Sequence, residues 1–426
     1  MKFKYSYYNI VVSESEEFVY LYNSYSGALC KLEKDIHTLI LNSTLDDENK
    51  CKFFDELYKQ GFIVSAELNE YNKILLNERI EIFSRSTESI SYVIAPTLSC
   101  NLNCFYCFEN GYRNRTIISD KTLYDIADYI LSRTNGVKHI HVGWFGGEPL
   151  IAYDKIVKFS EYLIPLLKKK RINYTAGMIS NGVLLKSDKA KTLVELCGLK
   201  NIQITVDGTQ KVYCARKKAT EKQFNDLLDN ICAAVKYMRV AIRLNCDGNN
   251  YEDLKVISKQ LIEKCGKNNN LSIYLAKLVN YTDCTGEFFS QFEFDEKRIK
   301  FDKYICELQE KIYKPKRIKY RKVFCGLYKL NNQVIGPEGE LYKCEHHIGQ
   351  RDKAIGSIQY GLNYSDWLMK FLENKPMTQC KTCKLFPMCL GGCPAQREDL
   401  HNEESCCFSI EYIQELLKQH IEQYGK

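Results

Sequence analysis

Alternating apolar and polar positions open the chain. "YSYYNIVV" and "EFVYLYNS" read as β-type segments divided by the polar turn "SESE". Helical spacing follows near "KDIHTLILN" and "KCKFFDELYKQ", and then comes "GFIVS". Residues 1–90 therefore predict a small α+β module of winged-helix character, with a plain N-terminal packing extension as the alternative. From 91 to 280, short strands alternate with helices. The strands are "SYVIAPT", "HIHVGWF", "YTAGMIS", "NIQITVD", "VAIRLNC" and "LSIYLAKL"; the helical segments include "DKTLYDIADYILSR", "YDKIVKFSEYLIPLLKKK" and "QFNDLLDNICAAVKYM". Six βα repeats predict an α/β architecture: a parallel sheet, open or curved toward a barrel, with its chemistry at the C-terminal strand ends. Residues 281–324 read as a helical bridge. The region 325–426 is turn-rich and ends in the helix "SIEYIQELLKQHIEQY".

A length of 426 residues favours two or three domains over a single core. Hydrophobic residues make up 45% and charged residues 27%, as in a globular chain without membrane association. No apolar run approaches the roughly 18 residues of a membrane span. The N-terminal stretch has no apolar core followed by a small-residue cleavage site, so a cytoplasmic location is expected. Sixty basic against fifty-three acidic residues leave +7, too mild to predict a nucleic-acid partner. The basic runs "LLKKKR" (166–171) and "KPKRIKYRK" (314–322) suit either an acidic partner peptide or a solvated helix end.

Twenty cysteines change the picture more. Three fall at 100–107 and eight at 325–407, while nine are scattered singly, as small buried hydrophobes are. In a reducing compartment such clusters point to metal ligation. Cys100, Cys104 and Cys107 follow the first strand with C-x₃-C-x₂-C spacing. Thiolates suit zinc and iron–sulfur clusters, but a structural zinc knot closes its shell with four ligands. Three thiolates could instead hold three irons of a 4Fe–4S cubane and leave the fourth open. "GGEP" (Gly146, Gly147, Glu148, Pro149) ends the second strand, "SNG" (Ser180, Asn181, Gly182) the third, and Asp207–Gly208 the fourth.

In this order the motifs resemble the radical S-adenosylmethionine (radical SAM) superfamily, whose fold is a partial (β/α)6 barrel. The resemblance implies that SAM coordinates the open iron through its amino and carboxylate groups. An electron from the cluster then splits the sulfonium into methionine and a 5′-deoxyadenosyl radical. It also implies that "GGEP" meets the SAM amino group and "SNG" its ribose and carboxylate. Tyr106 would lie near the adenine, and Arg243 and Asn245 would be polar contacts to SAM or substrate. Cys214 stands where relatives carry a polar residue, which leaves the local substrate contacts open.

Further on, Cys325 and Cys344 flank "GPEG", and Cys380, Cys383, Cys389 and Cys393 follow, with Cys406–Cys407 behind them. This field resembles the SPASM domain of radical SAM peptide maturases, which carries two auxiliary 4Fe–4S clusters, three clusters in all. The resemblance assigns Cys380, Cys383, Cys389 and Cys407 (with Cys406 as the other option) to an outer cluster. Cys325, Cys344 and Cys393 go to an inner one. No further cysteine stands near the Cys325–Cys344 pair, so the inner cluster is expected to be one ligand short unless Cys306 or another distant thiol folds in. An open auxiliary iron suits a substrate cysteine and hence thioether formation of the sactionine and ranthipeptide kind. Residues 1–90 would then read the leader of a precursor peptide along a sheet edge, and a low-potential flavodoxin or ferredoxin would supply electrons. Glu345 matches the acidic base of anaerobic sulfatase-maturating enzymes, so formylglycine formation is the rival, followed by carbon–carbon or carbon–oxygen crosslinking. A cluster-bearing module without chemistry is the non-enzymatic alternative. His346 and His347, beside Cys344, read as polar loop residues rather than metal ligands.

Overall fold

The computed structural model describes residues 2–42, 45, 53–84, 88–280, 287–315, 318–373, 375–400 and 406–424. The start of "KCKFFDELYKQ", residues 281–286 of the bridge, residues 316–317 of the second basic run, and Cys51 and Cys284 lie outside them.

The chain begins with β1 (Phe3–Tyr5), and then β2 (Asn9–Glu14), β3 (Phe18–Asn23) and β4 (Leu29–Glu33) form a three-stranded antiparallel sheet. Helices α1 (Lys34–Asn42) and α2 (Phe54–Lys59) lead to β5 (Ile63–Ser65), which pairs back on β1, and α3 (Glu70–Phe83) follows. The first apolar run was expected as one strand, yet it breaks between Tyr5 and Asn9. The cause is a buried polar corner. Asn23 Nδ2 donates to Ser6 Oγ (3.1 Å) and Asn9 Oδ1 (2.9 Å), Asn9 Nδ2 donates to Phe62 O (2.7 Å), and Ser6 Oγ donates to Glu70 (2.6 Å). Those partners need a turn there, because a straight strand would leave them unpaired inside the protein.

The central region follows the expected alternation. It runs β6 (Ser89–Ile94), α4 (Asp120–Ser132), β7 (His139–Trp144), α5 (Tyr153–Lys169), β8 (Asn173–Ser180), α6 (Ser187–Glu195) and β9 (Leu199–Thr205). Then come α7 (Gln210–Lys217), α8 (Glu221–Ala234), β10 (Arg239–Cys246), α9 (Tyr251–Cys265) and β11 (Leu271–Lys277). Strands β6 to β11 pair in parallel in sequence order. Helix α4 shows why the helices dock: Ser119 caps its first turn through Thr122 N, and Leu123, Ile126, Ala127 and Ile130 form one buried stripe. Strand alternation divides the sheet into two faces. Ile202 and Ile204 face the helices with Val240, Ile242 and Leu244, all buried. Opposite them, His141 pairs in register with Thr175, Ile179 with Gln203, and Thr205 with Arg243, giving a polar inner face.

Beyond α10 (Gln291–Leu308) the chain returns to this sheet. β12 (Gln333–Ile335) adds in parallel to β6, and β13 (Glu340–Tyr342), β14 (Gly356–Ser357) and β15 (Gly361–Leu362) extend it antiparallel. Helices α11 (Asp366–Glu373), α12 (Phe386–Cys389), α13 (Pro394–Leu400) and α14 (Ile410–Tyr424) complete the chain. The N-terminal sheet docks on this end. Ile10, Val12 and Tyr22 pack with Leu385, Met388, Tyr412 and Leu416, while Lys384 Nζ donates to Asn9 O (2.9 Å) and Gln414 Nε2 to Val11 O (2.8 Å).

Two expectations change. The second basic run is no helix end; it is a strap, with Tyr22 OH donating to Ile318 O (2.6 Å) and Arg321 N to Pro387 O (3.1 Å). Two of the scattered cysteines, Cys232 on α8 and Cys265 at the end of α9, are joined in a disulfide. They stand 33 positions apart in sequence, but the packed helices bring their Cα atoms to 4.7 Å. No helix of the described residues is long and apolar enough to cross a membrane.

Candidate functional site

The loop after β6 is shaped by glycine. Gly147 N donates to Thr97 O (3.2 Å) and Glu148 N to Ser99 O (2.8 Å). A Cβ on Gly147 would lie 2.3 Å from Ser99 O, and one on Gly146, whose φ is +105°, 2.4 Å from Thr97 O. Only glycine lets "GGEP" press against the strand-to-cysteine turn. From the other side α7 clamps the loop, with Asn103 N donating to Lys217 O (3.0 Å) and Phe105 N to Arg216 O (3.2 Å).

Cys100, Cys104 and Cys107 line a cavity of about 420 Å³. Each sulfur has its own nitrogen donor: Asn181 Nδ2 at 3.8 Å from Cys100, Lys217 Nζ at 3.8 Å from Cys104, and Arg113 Nη2 at 3.1 Å from Cys107. Burial pushes the Cys100 thiol up to about 11 and raises Cys107 as well, so a bare thiolate is disfavoured where a cationic cluster would welcome it. Among the described residues, no three His, Cys, Asp or Glu groups converge on a point that would hold one ion. Thiolates that each bind a different iron of a cluster need no such convergence.

Glu148 does not face the cavity. Fully buried, it accepts from Leu150 N (3.0 Å), Ser180 Oγ (2.8 Å) and Asn181 N (2.7 Å), and so ties "GGEP" to "SNG". Burial raises its pKa, while these bonds oppose the rise. Gly146, Gly147, Ser180 and Asn181 line the cavity; Glu148, Pro149 and Gly182 are not among its lining residues. Gly182, at φ +78°, packs instead under α8, where a Cβ would come 2.7 Å from Leu227 Cδ1.

Tyr106 lines the wall and is held from behind. Its hydroxyl donates to Asp207 and accepts from Lys217 Nζ (2.8 Å), which also pairs with Asp207 at 3.5 Å. Burial disfavours the Lys217 ammonium, but Asp207 and Cys104 outweigh it and hold its pKa above the usual range. Arg243 Nε donates to Asn245 Oδ1 (2.9 Å), and both line the cavity, joined by Gln203 and Thr205 from the same inner face. Those two were missed, although the polar positions of "NIQITVD" alternate with its apolar ones. Arg113, Lys217 and Glu109 were missed too. Glu109 lines the cavity, 7% exposed, and its buried Oε1 has no hydrogen-bond partner.

The second cysteine field reaches the same space, since Glu345, His346 and Cys393 line the cavity. Burial raises Glu345 to about 7, with Arg243 opposing, and raises Glu109 to about 7, with Arg113 opposing and Glu345 adding to it. The His346 ring stacks on Phe108 at 4.1 Å. His347 is buried against Trp367. Cys325, Cys344 and Cys393 lie within one another's electrostatic reach. Cys380, Cys383, Cys389 and Cys407 form a second group with Cys406 at its exposed edge. Cys306, the conjectured extra ligand, lies near Tyr313. Cys214 is half-buried on α7 and does not line the cavity.

Residues 94–261 match the Radical SAM superfamily. The chain carries a radical SAM domain. It is 23% identical over 373 residues to a cysteine-type anaerobic sulfatase-maturating enzyme of Clostridium perfringens, covering 78% of this chain and 95% of that protein. It is also 23% identical over 212 residues to the radical SAM cyclopropyl synthase TigE of Paramaledivibacter caminithermalis, 42% of this chain and 43% of that one. Among solved structures, anSMEcpe with bound AdoMet and Cp18Cys peptide superposes with a TM-score of 0.56 at 19% identity, covering 78% of this chain and 96% of that one. Streptococcus suis SuiB bound to precursor peptide SuiA gives 0.55 at 16% identity, covering 97% and 100%. The fold is thus that of radical SAM enzymes of the SPASM type, and the family's cofactors are SAM and a 4Fe–4S cluster.

Proposed function

We propose that this radical SAM enzyme modifies a ribosomally made precursor peptide by joining a cysteine sulfur to a carbon. One observation carries the peptide reading: the cavity lined by Cys100, Cys104 and Cys107 is lined by Glu345 and Cys393 as well. A reacting residue seated there would touch both cysteine fields at once. When bound, the family's cluster and SAM supply a carbon-centred radical that removes one hydrogen atom from the substrate.

The chain's own residues do the rest. Cys100, Cys104 and Cys107 would hold the SAM-binding cluster, and Gly146, Gly147, Ser180, Asn181 and Tyr106 form the wall on which SAM rests. Arg243 and Asn245 project from the end of β10 toward the substrate. Cys380, Cys383, Cys389 and Cys407 would hold the outer auxiliary cluster. Cys325, Cys344 and Cys393 would hold the inner one, with a fourth place open to a substrate thiolate. Closing the sulfur–carbon bond removes one hydrogen atom, one proton and one electron from the peptide. Glu345, on the cavity wall, stands to take the thiol proton, and the auxiliary clusters that these cysteines would hold would supply the acceptor for the electron. Residues 1–90 would read the leader, and a low-potential flavodoxin or ferredoxin would prime the first cluster. SuiB, which superposes along nearly the whole chain, is known with a bound precursor peptide.

Formylglycine formation is the second reading, supported by the similarity to the sulfatase-maturating enzyme over 78% of the chain and by Glu345. The two products differ in sulfur. Anaerobic incubation with SAM, reductant and a cysteine-bearing precursor should give a peptide that has lost two hydrogens and kept its sulfur. Loss of the sulfur would select formylglycine instead. Cys344→Ala should retain part of the SAM cleavage and stop peptide modification; unaltered product from that variant would remove the inner cluster from the reaction.

A further inference from the structure

Each of the three sulfurs of the first cysteine set has a nitrogen donor from the protein, and two of the three donors carry charge. Arg113 Nη2 is 3.1 Å from Cys107 Sγ, and Lys217 Nζ is 3.8 Å from Cys104 Sγ. The third, Asn181 Nδ2, is neutral and 3.8 Å from Cys100 Sγ. The donors come from different places: the loop just after the cysteines, the last turn of α7, and the end of β8. Lys217 is the least expected of them. It is 2% exposed, yet it lies in the sulfur wall instead of reaching solvent, and it is braced by Asp207 (3.5 Å) and Tyr106 OH (2.8 Å). A buried lysine is costly unless its charge is used.

We infer that Lys217 sets the reduction potential of the SAM-binding cluster, with Asp207 as its counterweight. This rests on the reading that Cys100, Cys104 and Cys107 hold that cluster. Reduction adds one electron to the cluster, drawn from an external low-potential donor. A fixed cation beside a ligand sulfur favours the more negative, reduced form, and hydrogen bonds to the sulfurs act in the same direction. Asp207, completely buried behind the lysine, moderates the effect. The pair therefore sets how strong a reductant the enzyme requires. Lys217 is a positioning and tuning residue, since its nitrogen meets a ligand sulfur and not the substrate.

The test is a redox titration of anaerobically reconstituted protein, followed by the electron paramagnetic resonance of the component that responds to SAM. Lys217→Met should shift the reduction equilibrium about tenfold toward the oxidised cluster, about 59 mV more negative for a one-electron couple. Asp207→Asn should shift it the opposite way. General damage to the loop would move both variants together, so opposite signs at equal iron content support the inference. Lys217→Arg, which keeps the charge, should restore most of the wild-type potential. Equal potentials in Met and wild-type proteins, or shifts of one sign in both variants, overturn the inference. Should the wild type form no SAM-responsive cluster at all, the cluster assignment itself falls.

Discussion

Glu148 offers the sharpest contrast between a motif read as a ligand and the same motif read as structure. If it chiefly held SAM, neutralising it would weaken SAM binding and leave the fold alone. The geometry says otherwise: its two oxygens receive Leu150 N, Ser180 Oγ and Asn181 N at 2.7–3.0 Å, all inside the protein. Glu148→Gln keeps the shape but turns an amide nitrogen toward at least one of those donors. A buried donor left without its acceptor costs about 1–3 kcal/mol, and bonds to a charged acceptor sit at the upper end. The expected loss is about 2 kcal/mol for Gln and about 3–6 kcal/mol for Glu148→Ala, which strands all three donors. Native-state hydrogen exchange reads this locally. Amides of 146–152 and 178–185 should exchange about 30-fold faster in Gln, since 1.4 kcal/mol is a factor of ten, with the α9 amides unmoved. Glu195→Gln, at the exposed end of α6, is the control. Unchanged protection in both segments, together with weakened SAM binding, would refute the structural role.

Other substitutions test neighbouring parts of the same argument. Gly147→Ala drives a methyl toward Ser99 O at 2.3 Å, so iron and sulfide per chain should fall on reconstitution while the far strands β10 and β11 keep their exchange protection. Arg216→Met leaves Asp247, which is 1% exposed, without its 2.8 Å partner; breaking a buried pair this way costs about 3–5 kcal/mol. Chemical denaturation should show that loss, and Arg216→Lys should recover only part of it, because Arg216 also covers the Phe105 ring at 5.0 Å. Tyr22→Phe removes the hydrogen bond to Ile318 O and should loosen the 318–324 strap by about 1 kcal/mol, read as faster proteolysis there without loss of cluster iron.

Much of the fold could be read in the chain because its helices and strands obey their periods. The six central strands lie where alternating apolar residues placed them, and "NIQITVD" even encodes which side faces inward. What escaped reading depends on contacts between distant segments. The strand break after Tyr5 comes from a knot of Ser6, Asn9 and Asn23 that no local pattern announces. Lys217 and Arg113 look like ordinary surface cations until the fold sets them against Cys104 and Cys107. "GGEP" was read for ligand contacts alone; its glycines do line the cavity, but they also shape the loop, and its carboxylate braces the layer beneath. Glu109 stood in plain view two residues after Cys107, but only burial in the cavity, with an oxygen left unpartnered, marks it out.

The most consequential piece that stayed hidden is also among the shortest. "QVI" (333–335) is too brief to register as a strand, yet Gln333, Val334 and Ile335 pair with Tyr92, Val93 and Ile94 of β6. That pairing makes the cysteine-rich segment part of the same sheet as the strand leading into Cys100. The turn after β13 then comes back against the cysteine loop. A Cβ on Gly349, whose φ is +86°, would sit 3.1 Å from Tyr112 Cβ and 3.3 Å from Leu98 Cδ1, and the preceding His346 stacks on Phe108. Glu345 therefore reaches the cavity from a turn that a continuous sheet and close packing hold against the cysteine loop. In the proposed reaction a substrate seated between Glu345 and the cysteine loop would meet packed structure on each of these sides, which is what a reaction needs when the atom that loses hydrogen must lie next to the atom that forms the new bond.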